Sequence, residues 1–225
     1  MAKYIRTLTV FYDTEIDFKD IPLFRGAVLN SLGDKANVLY HNHTGDETFR
    51  YSYPLIQYKR LNGKAAITCV EEGVDLVGQL LSELSGPIVL GERETESNVD
   101  HIHSSKGPIQ IEDSFSVYQL HQWLPLNTRN YQQYLSTDEL VEKIKILERI
   151  LTGNVLSFLK GVNTHLDDQL VIHITDILNQ KVVTYKSVKL MAFDIKFKAN
   201  INLPSYIGIG KNASIGNGTL IKITN

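Results

Sequence analysis

The sequence predicts an α+β protein of two tandem ferredoxin-like (RRM-like) domains with a glycine-rich loop near the C-terminus. Three observations lead there. From Tyr4 to Leu90 the hydrophobic patterns follow the order strand, helix, strand, strand, helix, strand. A polar stretch, Glu92 to Gly107, then reads as a loop or linker near the middle of the 225 residues. Beyond it, a second series of strand patterns surrounds one long amphipathic helix. The division predicts domains over residues 1–106 and 107–225, each close to roughly 100 residues, an ordinary domain size.

Tyr4 to Phe11 alternates and is rich in Ile, Leu, Thr and Val, as a strand should be. Pro22, tolerated in a first helical turn, precedes a helix from Leu23 to Leu32 that Gly33 closes. Tyr53 to Leu61 and Lys64 to Val70 flank Asn62-Gly63, the strongest short hairpin signal because both residues accept positive φ. Val74, Val77, Leu80, Leu81 and Leu84 line one face of a further helix, and Ile88 to Leu90 is a short strand. In the second half Ser116 to Leu124 reads as a strand. Ser136 and Glu139 form a capping box for the long helix. Its buried stripe is Leu140, Ile144, Leu147, Leu151, Val155 and Phe158, and Gly161 stops it. Strand-like runs follow at Leu170 to Ile177, Val182 to Val188, Leu190 to Ile201 and Thr219 to Ile223. The second unit thus reads as ferredoxin-like with its second helix missing or replaced.

Composition bounds the function. With 43% hydrophobic and 21% charged residues the chain is an ordinary globular protein. Its one cysteine, Cys69, excludes an internal disulfide framework and reads as a core thiol within Ala65 to Val70. No signal-peptide pattern opens the sequence and no apolar run approaches the roughly 20 residues needed to cross a bilayer. A soluble, cytoplasmic protein without membrane contact is expected. The net charge of −2 is not that of a nucleic-acid binder, yet its distribution is uneven. From Lys181 to Asn225 there are seven lysines and one acid, Asp194, a local charge of +6 that leaves −8 for the rest. Such a segment faces an anion, or its lysines decorate the solvent side of strands.

The stretch Leu203 to Gly218 carries two Gly-x-Gly pairs, Gly208-Ile209-Gly210 and Gly216-Asn217-Gly218, with Lys211 between them. Glycine permits backbone angles closed to other residues and removes the Cβ that would keep a phosphate at a distance. Successive backbone N–H groups in such a turn make an anion-binding concavity, and Lys211 adds a full charge. The spacing is neither a Walker loop nor a dinucleotide fingerprint. A glycine-tolerant hairpin with no ligand satisfies the same pattern.

These residues resemble the signature loop of the RAMP superfamily, specifically the CRISPR-associated repeat-RNA-processing endoribonucleases. Asn202 to Gly208 is similar to the b-type branch of that family, and so are Arg25-Gly26, His41-Asn42-His43, Tyr51 to Lys59 and Glu72-Gly73. Asn217 departs from it, standing where an aromatic or apolar residue is more usual. The resemblance implies two tandem ferredoxin-like domains and cleavage of CRISPR precursor RNA within its repeats without a metal or other cofactor. The 2′-hydroxyl attacks the neighbouring phosphate, leaving 2′,3′-cyclic phosphate and 5′-hydroxyl ends. Histidine suits the base and acid because it titrates near neutrality, and lysine suits the developing charge. The resemblance carries these roles to His41, His43 and Lys35, with Tyr51 beside them, and RNA binding to Gly208, Gly210, Lys211, Gly216 and Gly218. The basic strand residues Lys196 and Lys198 join the RNA-binding set. CRISPR repeat RNA is the implied partner; homodimers are common in the family but leave no mark in the sequence.

Two other readings stand beside this one. The chain would be a non-catalytic RAMP scaffold holding RNA among the subunits of a CRISPR effector complex. Alternatively, His103-Ser104-Ser105 and His173-Ile174-Thr175 would pair as in the two-histidine phosphoesterases that open cyclic phosphates, although Ser104 and Lys106 stand where apolar neighbours are expected. Asp100-His101-Ile102-His103 resembles a zinc half-site, but no third or fourth ligand is apparent, and no metal is expected.

Overall fold

Asn62 and Gly63 take φ of +51° and +86° and turn β2 (Ile56–Leu61) into β3 (Lys64–Val70) in an antiparallel hairpin. β3 pairs in turn with β1 (Lys3–Glu15). The computed structural model describes residues 3–33, 38–41, 53–84, 86–185 and 187–223. Contacts along the chain divide it into two units. One is Tyr4–Gly107 with Ser214–Gly216; the other is Pro108–Ala213 with Met1–Lys3 and Asn217–Asn225.

In the first unit the sheet order is β2-β3-β1-β6, the last strand being Val99–Ile109. Helix α1 (Ile21–Leu32) begins with Pro22 inside its first turn and ends at Gly33, φ +50°. Its Phe24 meets Tyr12 and Tyr58 edge-on, at 5.7 and 6.2 Å between ring centres. Together with Val10, Ile56, Ile67 and Cys69 these side chains make a dry core, each large one contributing about 1.5–3 kcal/mol by burial. Burial pushes the Cys69 thiol up to about 12.

The fourth strand of this sheet, β6 (Val99–Ile109), corrects the expectation of a polar linker over Glu92 to Gly107. Its residues 100–106 are exposed, so an edge strand with neither face buried gives no alternation to read. Ile88 to Leu90 is indeed extended, in β4 (Gly86–Leu90), but it pairs with β5 (Arg93–Ser97) in a separate two-stranded ribbon. The helix expected from Val74 starts as a 3₁₀ segment, Glu71–Leu76, and becomes α3 only over Val77–Glu83.

In the second unit β7 (Ile111–Trp123), β8 (Ile172–Tyr185), β9 (Val188–Ile201) and β10 (Thr219–Ile223) form a sheet of order β10-β7-β9-β8. The two runs 170–177 and 182–188 belong mainly to one long β8, interrupted by register shifts after Ile174 and Ile177. Helix α5 (Leu140–Gly161) buries Ile146, Leu147, Leu151, Val155, Phe158 and Leu159, whereas Leu140 is 63% exposed. The expected capping box does not form. Ser136 ends a preceding helix, α4 (Thr128–Ser136), and gives its hydroxyl to the Gln133 carbonyl at 3.1 Å; Glu139 is the cap residue of α5 without a side-chain bond. α4 is capped instead by Asn127, whose Oδ1 accepts the Asn130 N–H at 2.8 Å. Between β9 and β10, where a ferredoxin-like unit carries its second helix, lies the glycine-rich loop with one 3₁₀ turn, Ala213–Ile215. Among the described residues, no helix is long and apolar enough to cross a membrane.

Candidate nucleic-acid interface

The glycine-rich loop is closed at its base by backbone hydrogen bonds. Ile209 N–H donates to the Gly218 carbonyl at 2.7 Å, Leu220 N–H to Ile207 at 2.8 Å and Tyr206 N–H to Leu220 at 2.7 Å. Gly218 N–H donates to the Gln122 carbonyl at 3.2 Å. Gln122 itself is left-handed, φ +53°, where β7 shifts register between Leu120 and Trp123. Its N–H goes to Asp194 Oδ1 at 2.7 Å, and Asn179 donates to the other carboxylate oxygen at 3.2 Å. The single acid of the basic C-terminal segment is therefore spent on the bulge that supports the loop.

The missing side chains of the loop point into protein. A Cβ on Gly210, φ +91°, would stand 2.6 Å from Asn154 Oδ1, the atom that accepts Trp123 Nε1–H at 2.9 Å. At Gly218, φ +63°, it would overlap the Ile209 carbonyl oxygen. At Gly208 it would come 2.7 Å from Ala213 Cβ, and at Gly216 2.6 Å from Ile21 Cδ1. The space that glycine leaves is filled by α5, by Trp123, by the loop itself and, at Gly216, by Ile21, so the glycines let the backbone pack closely. Gly208, Gly216 and Gly218 are buried, and so is Asn217, whose N–H donates to the Asn212 carbonyl at 3.3 Å. Lys211 alone within 207–218 is exposed. Lys196 and Lys198 alternate along β9 with the buried Ile195, Phe197 and Ala199, which puts both lysines on the face away from the core.

The first histidine of the candidate pair ends a short helix, α2 (Val38–His41). That helix is pinned to the core: the Tyr40 hydroxyl donates to the Leu76 carbonyl at 3.0 Å, and the Tyr58 hydroxyl donates to the Tyr40 carbonyl at 3.4 Å. The His41 side chain and all of Lys35, His43 and Tyr51 lie outside the described residues.

The remaining histidines are not assembled into a second centre within either unit. His101 and His103 lie on β6, in the first unit, and the His101 ring stacks on Phe11 at 4.1 Å and 12°. His173 lies on β8 of the second unit and is exposed. Among the described residues no three His, Cys, Asp or Glu side chains are grouped to hold a metal ion. The supports of the loop, Gln122, Trp123, Asn154 and Asp194, escaped the sequence reading. Trp123, the chain's one tryptophan, was a visible signal at a strand end; the others act on partners 31 and 72 residues away.

Each unit is ferredoxin-like, the second closing through a glycine-rich loop in place of its second helix. The Cas6b N-terminal domain matches residues 3–107 and the Cas6b C-terminal domain residues 110–223. The chain belongs to the Cas6b family. Among solved structures, a crystal structure of Cas6b superposes with a TM-score of 0.86 at 24% identity, covering 98% of this chain and 100% of that one. A second, of the CRISPR RNA processing endoribonuclease Cas6b, gives 0.75 at 24% identity with the same coverage. At these identities the likeness establishes the fold. The uncharacterized protein MJ0978 of Methanocaldococcus jannaschii is 37% identical over 101 residues, 45% of this chain and 67% of its own length.

Proposed function

We propose that the protein is an endoribonuclease that matures CRISPR RNA by cutting precursor RNA within its repeats. The observation that carries this reading is the match of both halves of the chain, in order, to the two domains of Cas6b. A structure similar over 98% of the chain is of a protein described as a CRISPR RNA processing endoribonuclease, which supports the reading. The reaction needs no metal. A base removes the 2′-hydroxyl proton, O2′ attacks the adjacent phosphorus, and the bond from phosphorus to O5′ breaks as an acid protonates the leaving oxygen. The products carry a 2′,3′-cyclic phosphate and a 5′-hydroxyl. His41 and His43 act as base and acid, and Lys35, with Tyr51 beside it, stabilises the charge developing on the phosphate. Pinning of the helix that ends at His41 supports this assignment, because a general base must be held within about 3 Å of the proton it takes. The RNA backbone follows the surface of the loop that Gly208, Gly210, Gly216 and Gly218 shape, meeting it at Lys211, with Lys196 and Lys198 supplying further charge. The loop supports that path by its closure at the base and by the outward Lys211.

Labelled repeat RNA incubated with the protein in EDTA tests the whole reading. The expected result is one defined cut ending in a cyclic phosphate, reduced at least a thousandfold in the His41→Ala/His43→Ala variant while most binding remains, as roughly 10²–10⁴ attends loss of each proton-transfer group. Full activity in the double variant would remove the two histidines from the chemistry. Tight binding with no cleavage by the unaltered protein would make it an RNA-holding scaffold of an effector complex.

A further inference from the structure

The two sheets differ on the faces turned away from their helices. In the first unit that face carries Thr9, Gln57, Lys59 and Thr68, all fully or almost fully buried. In the second unit the corresponding face is open around Phe115 of β7, which is 43% exposed, and around the exposed Lys198 of β9 and His173 of β8. These three side chains come from three neighbouring strands and meet. Lys198 lies opposite Val117 on one side and His173 on the other. Its Nζ stands 5.3 Å from the centre of the Phe115 ring. The His173 and Phe115 rings are 5.9 Å apart and inclined by 35°. Glu148 Oε1 accepts the Ile174 N–H at 2.9 Å and lies 3.9 Å from His173 Nδ1. Lys196, on the same face of β9, is about 7 Å further along the strand.

A single exposed apolar residue needs no explanation. An exposed ring with an ammonium against it and an imidazole beside it, on an open sheet in an RNA-binding family, does. Aromatic faces stack on nucleobases whatever their identity, and lysines between them take the phosphates; single-stranded RNA presents both chemistries at alternate points of its chain. A lysine stem is flexible, so Lys198 swings from the ring to a phosphate at small cost when a base arrives.

We propose that Phe115, His173 and Lys198 form a stacking site for an unpaired nucleotide of the repeat RNA, with the base against the two rings, its phosphate on Lys198, and the next phosphate on Lys196. This rests on the RNA-processing reading and extends it from backbone capture at the glycine loop to contact with bases.

Phe115→Trp places a fluorescent reporter at the site, read as the difference from the unaltered protein, whose one tryptophan is the buried Trp123. Single-stranded repeat RNA is expected to quench that reporter, and the same RNA annealed to its complement is not. Phe115→Ala, at an exposed position that leaves folding intact, should weaken binding of the single strand by roughly five- to a hundredfold, the range of one lost base stack. Unchanged affinity in Phe115→Ala, with the unaltered protein binding and cutting normally, would overturn the stacking site and leave the endoribonuclease standing. A change in oligomeric state in that variant without a change in RNA affinity would give the face to a protein contact and overturn it equally. Failure of the unaltered protein to bind any RNA would overturn both readings.

Discussion

Gly210 shows how much one residue of the loop is asked to do. Its φ of +91° is closed to L side chains, and the place where a Cβ would stand is held by the hydrogen-bonded pair Asn154 and Trp123. Gly210→Val therefore disturbs that pair as well as straining the backbone. We expect a stability loss on the order of 2–4 kcal/mol from the backbone and the disrupted bond together, read as a lower Tm. RNA affinity should fall with it; a variant with unaltered Tm and affinity would show that the loop is not seated on α5 as described. The need for glycine here was legible in the two Gly-x-Gly pairs, but its reason was not. A sequence reveals which residues lack a Cβ, not the direction in which it is lacking, and here that direction is toward protein. Asp194 repeats the lesson. It counted as one acid among seven lysines, while its carboxylate is the acceptor for the left-handed Gln122, a partner 72 residues away.

Among the elements, β2 makes the sharpest testable demand, because it carries a fully buried lysine. Burial lowers Lys59 from its ordinary 10.5 to about 7, since desolvation penalises the charged form. Between those values the unfolded chain binds a proton that the native chain does not, so this group raises stability as pH rises through the window from about 7 to about 10.5. Below that window both states are protonated and the burial cost is felt in full. The Tm of the unaltered protein should accordingly climb relative to that of Lys59→Met between pH 7 and pH 9.5; parallel curves would show that Lys59 does not titrate in this way. The elements that the sequence made legible are those with one buried face and a local stop signal: β1, α1 with Pro22 and Gly33, the β2–β3 hairpin, and α5 from Leu147 onward. Those it hid have neither. β6 is exposed along most of its length, and α4 is short and polar, capped by an asparagine that reads equally well as a loop residue. Ser136 and Glu139 had the spacing of a capping box, yet the chain used Ser136 to finish one helix before beginning the next.

At the scale of the whole molecule, the uneven charge decides how RNA binding responds to salt. The net −2 conceals a segment of +6, in which seven lysines outnumber the one acid, Asp194. Affinity for single-stranded repeat RNA should fall steeply with salt, and replacing Lys196, Lys198 and Lys211 by alanine should reduce the slope of log K against log salt by about 2, at roughly 0.7 for each phosphate no longer neutralised. An unchanged slope would place the phosphates elsewhere. Tandem ferredoxin-like architecture was legible because two sets of patterned strands flank a polar divide, although that divide proved to be part of the first sheet. What no linear reading reveals is that Ser214–Gly216 belongs with the first unit, where Gly216 packs against Ile21 beside Phe18 and the Tyr58 carbonyl. On the ribosome this matters. The sheet and helices of the first unit are complete once Ile109 has been made, but the tripeptide that finishes its packing is about a hundred residues further on, a delay on the order of ten seconds at ordinary rates of synthesis. The nascent half must wait without that contact to Ile21, and its final piece arrives from the same loop that presents Lys211.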